Sequence, residues 1–221
     1  MTRDTLTPTP ARLPIPARTA ASKLIVVVRA PDAADYDRVL DVLVEAGIRS
    51  LELTLTTPGT LERLPELLTR YGAEADIGVG TVVDGEQLDA AVQAGAHYLV
   101  TPIADLELVT ASTRAGVPIV PGGLTPTELF GAWRAGAAAV KVFPANVVGP
   151  GYLKDLRGPF PGIAAVPSGG VDLAGAKAWL TAGAAAVSVG GPLLGDALRG
   201  GDLAALRDRT AEFVTVCGQA S

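Results

Sequence analysis

One phrase recurs along this chain. "VEAGIRSLEL", "VQAGAHYLV", "TRAGVPIV", "RAGAAAVKV" and "LTAGAAAVSV" each close a helical stretch with Ala-Gly and run straight into a short apolar segment. The glycines are Gly47, Gly95, Gly116, Gly136 and Gly183, and "RYGAEADIGV" at Gly72 is a looser copy. Glycine at a helix C-terminus takes the left-handed conformation that ends the helix. Neighbouring copies lie roughly 20 to 26 residues apart, allowing one missing copy near residue 160, which is the length of a short strand–helix unit.

Eight strands follow from this register, near 24–29, 50–55, 76–80, 97–101, 117–121, 138–142, 163–166 and 185–189. They are continuous apolar runs more than alternating ones, as parallel strands covered by helices are. Amphipathic segments such as "YDRVLDVLVEAG" and "TLERLPELLTRYG" lie between them. At "TPTE", Thr125 is placed to cap a helix, with Pro126 at its first position and Glu128 three residues after the cap. Eight alternations predict an α/β fold, a (β/α)8 TIM barrel. The rival is an open doubly wound sheet, which usually has fewer strands and a glycine-rich first turn; here the first turn, "VVRAPDAADY", contains no GxGxxG. Residues 22–221 are therefore expected to form a single barrel domain. Residues 1–21 are rich in Pro and Thr and lack the apolar core of a signal peptide, so they are expected to form a flexible leader.

Composition narrows the function. With 48% hydrophobic and 19% charged residues in 221, the chain can build a substantial core. Its formal charge is −5, with no basic stripe and only 5% aromatic residues, which argues against a nucleic-acid partner. One cysteine, Cys217, and one histidine, His97, exclude a disulfide framework and a cysteine- or histidine-rich metal site. No apolar run reaches the length of a membrane span. The expectation is a cytoplasmic protein that acts on a small molecule.

In such a barrel, chemistry gathers at the C-terminal ends of the strands. Arg29 ends the first strand, Glu52 lies in the second with Thr54 and Thr56 alternating after it, and Thr81 ends the third. Thr101 and Pro102 end the fourth, and Lys141 lies in the sixth with Phe143 close behind. Each charge also has a plain structural reading: Arg29 in solvent, Glu52 in a structural ion pair, Lys141 as a satisfied cation opposite Glu52. Thr81 alone reads as a helix cap. His97 falls on the opposite rim and reads as structural, and Cys217 as a packing or surface residue.

Together the three charges have a chemical reading. Burial in an apolar barrel favours the neutral amine, the form that attacks a ketone to make a Schiff base. The protonated imine is an electron sink for breaking or making the adjacent C–C bond, and that chemistry needs a carboxylate as proton shuttle. Glu52 is the strand carboxylate available. Arg29, Thr81 and the backbone of "VPGG" are candidates to hold a substrate carboxylate. "SGGVD" and "VGGPL", after the seventh and eighth strands, place Gly169, Gly170, Gly190 and Gly191 where barrels often bind phosphate.

With these residues assembled, the sequence resembles the KDPG/KHG aldolases, over about residues 22–216. The segments that carry the likeness include "IVVVRA", "LELTLTTP", "IGVGTV", "LVTPI", "VPGGLTPTEL", "VKVFPANVVGPGYLKDLRGPFP" and "VPSGGVD". The resemblance implies a class I aldolase, metal-free and without cofactor, acting as a trimer of barrels. It would cleave 2-dehydro-3-deoxy-6-phosphogluconate to pyruvate and glyceraldehyde 3-phosphate, or 4-hydroxy-2-oxoglutarate to pyruvate and glyoxylate. It implies Lys141 as the Schiff-base residue, Glu52 as acid/base and Thr81 as a contact to the 2-oxo acid. Arg29, Thr56, Pro102 and Phe143 fall in the substrate-binding set, and Gly169 and Gly170 fall on the phosphate turn. Two positions depart from the family pattern. Some members carry arginine where Thr56 stands, which leaves Arg29 more of the anion binding. The family commonly has serine where Gly191 stands, and Pro192 removes a further donor, which raises the expectation of an unphosphorylated 2-oxo acid. The competing expectations are a barrel isomerase or synthase with Lys141 as a charge clamp, and a non-enzymatic sensor of a 2-oxo acid.

Overall fold

The computed structural model of the chain describes residues 12–219. Its strands are β1 (Leu24–Val28), β2 (Ser50–Thr54), β3 (Asp76–Gly80), β4 (Leu99–Val100), β5 (Ile119–Val120), β6 (Gly122–Gly123), β7 (Val140–Val142), β8 (Ala165–Pro167) and β9 (Val187–Val189). All their pairings are parallel, in the orders β5-β4-β3-β2-β1-β9 and β6-β7-β8. The expected fifth strand is split into β5 and β6 at Pro121, which has no N–H for a ladder. The two sheets still join on both sides. Ala138 N–H donates to Ile119 O at 2.9 Å and Lys141 N–H to Pro121 O at 2.8 Å. On the other side Ala185 N–H donates to Ala165 O at 2.8 Å, and Ser168 bridges Ser188. The eight strand positions close into a (β/α)8 barrel.

The helices are α1 (Ala17–Ser22), α2 (Tyr36–Glu45), α3 (Thr60–Tyr71), α4 (Gly85–Gln93), α5 (Leu106–Arg114), α6 (Pro126–Arg134), α7 (Gly151–Arg157), α8 (Leu173–Thr181), α9 (Gly191–Leu194) and α10 (Leu203–Gln219). None is long and apolar enough to cross a membrane. The recurring Ala-Gly phrase works as a helix stop. Gly47, Gly95, Gly116, Gly136 and Gly183 all have positive φ, and the residue after each bonds back to the carbonyl five positions earlier, as Ile48 does to Leu43. Gly72, the looser copy, is right-handed at φ −64° and serves close approach: a Cβ there would lie 2.4 Å from Leu68 O. Thr125 and Glu128 form the reciprocal cap expected at α6.

Period-two alternation along the strands divides the core in two. Residues such as Val26, Leu51, Leu53 and Val140 face the helices in the larger cluster. Ile25, Tyr98, Val100, Val120, Ala139, Val166 and Ala186 fill the barrel itself.

The expected flexible leader is corrected over its last part. Residues 1–11 lie outside the described residues, but the segment from Arg12 is built into the barrel. Ile15 packs against the interior cluster, and the Arg12 guanidinium stacks over Trp133 at 3.3 Å. In α1, Thr19 is buried. Its N–H donates to Asp76 Oδ2 at 2.8 Å, and its hydroxyl is hydrogen-bonded to the same oxygen and to Ser50 Oγ, at 2.9 and 2.8 Å. The reason is long-range: a Pro-rich composition reads as loose locally, but Ile15 and Thr19 find buried partners on strands far along the chain. At the same N-terminal rim, His97 Nδ1 accepts from Ile77 N–H at 3.0 Å. Cys217 is buried in α10, and burial pushes its thiol up to about 11, so it remains a protonated packing residue.

Candidate active site

β7 carries the sequence Val-Lys-Val. Val140 and Val142 point outward into the helix-facing core, so alternation turns Lys141 into the barrel. It is 7% exposed. Its Nζ stands 3.9 Å from Glu52 Oε1 and 5.1 Å from the centre of the Phe143 ring. Glu52 reaches this position from β2, where Leu51 and Leu53 face outward and Glu52 faces in at 1% exposure. Among the described residues its second oxygen, Oε2, has no hydrogen-bond partner. A buried polar group without a partner costs about 1–3 kcal/mol, more if charged, and native structures rarely carry one without a use for it.

Two residues of β3 and its end shape the surroundings. A Cβ on Gly80 would fall 2.2 Å from Glu52 Oε1, so only glycine leaves the carboxylate its place. The next residue, Thr81, is β-branched yet held at φ 63°. That left-handed backbone costs about 1–3 kcal/mol, and such residues cluster at functional sites. Thr81 Oγ1 accepts a long hydrogen bond from exposed Arg29, Nη2 to Oγ1 3.4 Å.

These side chains line one cavity of about 540 Å³ at the C-terminal mouth of the barrel. Lys141, Glu52, Arg29 and Thr81 line it, as do Pro102 and Phe143. So do the expected glycines Gly169, Gly170, Gly190 and Gly191. Gly169 and Gly170 have left-handed φ and also let the loop after β8 pack on that after β7; a Cβ on Gly170 would lie 2.8 Å from Asn146 Cβ. Gly191 is different, because a side chain there would meet nothing within 4 Å. Packing does not demand that glycine.

One expected residue is not brought in. Thr56 is not among the cavity's lining residues, and its hydroxyl donates to Thr54 Oγ1 at 3.1 Å. β2 ends at Thr54, so the alternation that put Thr56 in line with Glu52 stops before it. Other residues line the cavity unannounced. Ser168 and Ser188 are buried, with hydroxyls 3.2 Å apart. Both stand two residues beyond an interior side chain, Val166 and Ala186, so alternation could have found them. Arg199 and Asp196 come from the segment after α9. That segment is pinned by Arg38, whose guanidinium donates to Ala197 O and Gly201 O at 3.2 Å each; no local pattern in the sequence announces it. The cavity thus brings a buried amine beside a buried carboxylate, with two exposed guanidinium groups, Arg29 and Arg199, on its wall.

Comparison with known proteins agrees with this chemistry. The family model "KDPG and KHG aldolase" matches residues 15–208. The chain is 36% identical over 152 residues to the 2-dehydro-3-deoxy-6-phosphogalactonate aldolase of Escherichia coli, covering 68% of this chain and 74% of that one. It is 37% identical over 153 residues to the 2-dehydro-3-deoxy-phosphogluconate aldolase of Pseudomonas aeruginosa, covering 69% of each. A solved structure of the KDPG aldolase of Legionella pneumophila, with pyruvate captured as a covalent carbinolamine, superposes with a TM-score of 0.78. It is 28% identical and covers 93% of this chain and 97% of that one.

Proposed function

The chain belongs to the KDPG and KHG aldolase family and is an aldolase, and from that premise we propose a Schiff-base mechanism carried by Lys141 and Glu52. The amine adds to the ketone of a 2-oxo acid and water leaves, forming a protonated imine on Nζ. Glu52 takes the proton of the C4 hydroxyl as the C3–C4 bond breaks, and an aldehyde departs. The electron pair of that bond becomes an enamine, which Glu52 protonates at C3. Water then hydrolyses the imine and releases pyruvate.

The observation that carries this reading is the buried pair itself: Nζ and Oε1 at 3.9 Å in one cavity, with Oε2 unpartnered. The covalent pyruvate held by the Legionella pneumophila relative supports it. The test is borohydride reduction in the presence of pyruvate, followed by peptide mass analysis. A stable adduct on Lys141 is expected, and no adduct under saturating pyruvate overturns the mechanism.

The substrate is a 2-keto-3-deoxy-6-phospho sugar acid, 4-hydroxy-2-oxoglutarate, or both. Arg29 and Thr81 hold its carboxylate end, and the Gly169–Gly170 and Gly190–Gly191 turns receive its far end. Gly191 and Pro192 favour a second reading, an unphosphorylated 2-keto-3-deoxy acid, because hydroxyl and N–H donors are missing there. Pyruvate release measured across phosphorylated and unphosphorylated acids separates the two. The chain assembles as a homotrimer. Exposed Val83, Ile103, Phe143 and Val147, on the segments after β3, β4 and β7, and Leu106 at the start of α5 supply apolar surface for contacts between copies. Sedimentation analysis tests this, and a monomer at micromolar concentration overturns it.

A further inference from the structure

We propose that Tyr98 is a positioning residue for the Glu52 carboxylate, its ring forming the shelf on which that side chain stands. Tyr98 opens the interior of the barrel on the β4 side and is 1% exposed. Its ring crosses the face of Gly78, where a Cβ would lie 2.5 Å from Cε2 and Cζ. Its hydroxyl ends 2.9 Å from Ser50 Oγ on β2. The ring therefore spans from β4, over β3, to β2.

Glu52 starts level with that span, and its carboxylate lies nearer the mouth. Its Cα pairs with Gly78 in the β2–β3 register, while its carboxylate occupies the face of Gly80. Gly80 lies two residues, about 6.6 Å, nearer the mouth. The side chain thus rises along the strand from the level of the ring to the level of Lys141. Two glycines on one strand divide the space: Gly78 admits the shelf and Gly80 admits what stands on it. The shelf is itself anchored. Ser50 is bonded to Thr19, and Thr19 to Asp76, so the chain of hydrogen bonds runs down to α1. Burial first, and the Glu52 charge second, push the Tyr98 phenol well above its usual range, which keeps it protonated in that chain.

The proposal rests on Glu52 as the acid/base, and its test separates that carboxylate from the lysine. Trapping of pyruvate by borohydride reports Lys141. Exchange of the pyruvate methyl protons into deuterated water reports the carboxylate. Tyr98→Met keeps apolar volume but removes the rigid ring, and Tyr98→Leu is the second variant should the first not melt cooperatively. A misplacement of about 1 Å can cost about 100-fold in rate, so exchange and kcat are expected to fall about that much. Trapping and KM are expected to stay near wild type, and Tyr98→Phe, which restores the ring, to recover most of the exchange. A folded Met or Leu variant that exchanges at the wild-type rate overturns the proposal. So does loss of trapping and exchange in equal proportion, which would make the ring a support of the whole barrel. If wild type itself neither traps nor exchanges pyruvate, the aldolase mechanism fails first, and that failure is visible before any variant is compared.

Discussion

At the N-terminal end of the barrel, Thr19, Ser50, Asp76 and Tyr98 are buried together, and each is bonded to another at 2.8–2.9 Å. At the mouth, equally buried groups are left unfinished. Glu52 Oε2 has no partner among the described residues, and Lys141 meets Glu52 only at 3.9 Å. Thr81 is held in a backbone conformation that disfavours its own side chain. The difference separates two uses of buried polarity. At the closed end, hydrogen bonds tie residues 12–22 to strands far along the chain and stabilise the fold. At the open end, unused bonding capacity and strain remain for a ligand to use.

If this division is right, substitutions at the two ends should move different observables, except at Tyr98, whose ring reaches from the closed end toward Glu52 and serves both. The largest effect is expected at Lys141. Lys141→Ala removes the nucleophile, and loss of such a group costs about 10⁴-fold or more in kcat. It should also abolish the borohydride adduct, and any remaining adduct would place the nucleophile elsewhere. Lys141→Arg sharpens the result, because a guanidinium keeps the charge but not the chemistry; substantial activity there would favour the charge-clamp reading. Glu52→Gln should follow, with kcat lower by about 10²–10⁴-fold, the usual contribution of a general acid/base. Pyruvate trapping should persist in that variant, as steady-state kinetics and mass analysis together would show.

At the closed end the expectation reverses. Asp76→Ala strips the acceptor from the Thr19 N–H, while the Thr19 hydroxyl keeps Ser50, and leaving a buried donor unpaired costs about 1–3 kcal/mol. Urea unfolding should register that loss while kcat stays near wild type. A large fall in kcat with unchanged stability would break the comparison between the two ends.

Much of this was legible because the barrel is written locally. Each strand–helix unit carries its own stop signal, so the Ala-Gly phrase locates the strands, and the strand ends locate Lys141, Glu52, Arg29 and Thr81. The rest depends on long-range contacts that no local pattern carries. Residues 12–21 read as a loose leader because the partners of Ile15 and Thr19 lie on distant strands. Alternation carried past Thr54 puts Thr56 in line with Glu52, but β2 ends at Thr54. Arg199 depends on Arg38 holding a loop more than a hundred residues away in sequence. Tyr98 reads as an ordinary aromatic until the glycines opposite it show what the space is for.

The smallest expected effect is the most diagnostic. Thr81 joins strain and a hydroxyl in one residue, and two substitutions can pull them apart. Thr81→Gly removes both. Relief of about 1–3 kcal/mol of backbone strain, less the extra freedom glycine gives the unfolded chain, should raise stability by about 1 kcal/mol. Thr81→Ala keeps a Cβ at φ 63° and loses only the hydroxyl, so it should gain little stability. Both lose a hydrogen bond to a charged substrate group, worth about 1.5–3 kcal/mol, so KM should rise about tenfold or more in each. Thermal unfolding and steady-state kinetics on the same preparations decide the matter. A gain in stability from glycine alone, with KM raised equally in both, is the signature of a residue strained for the sake of its hydroxyl. If glycine stabilises and KM does not move, the strain at the mouth has no connection to binding, and the contrast between the two ends of the barrel loses one of its supports.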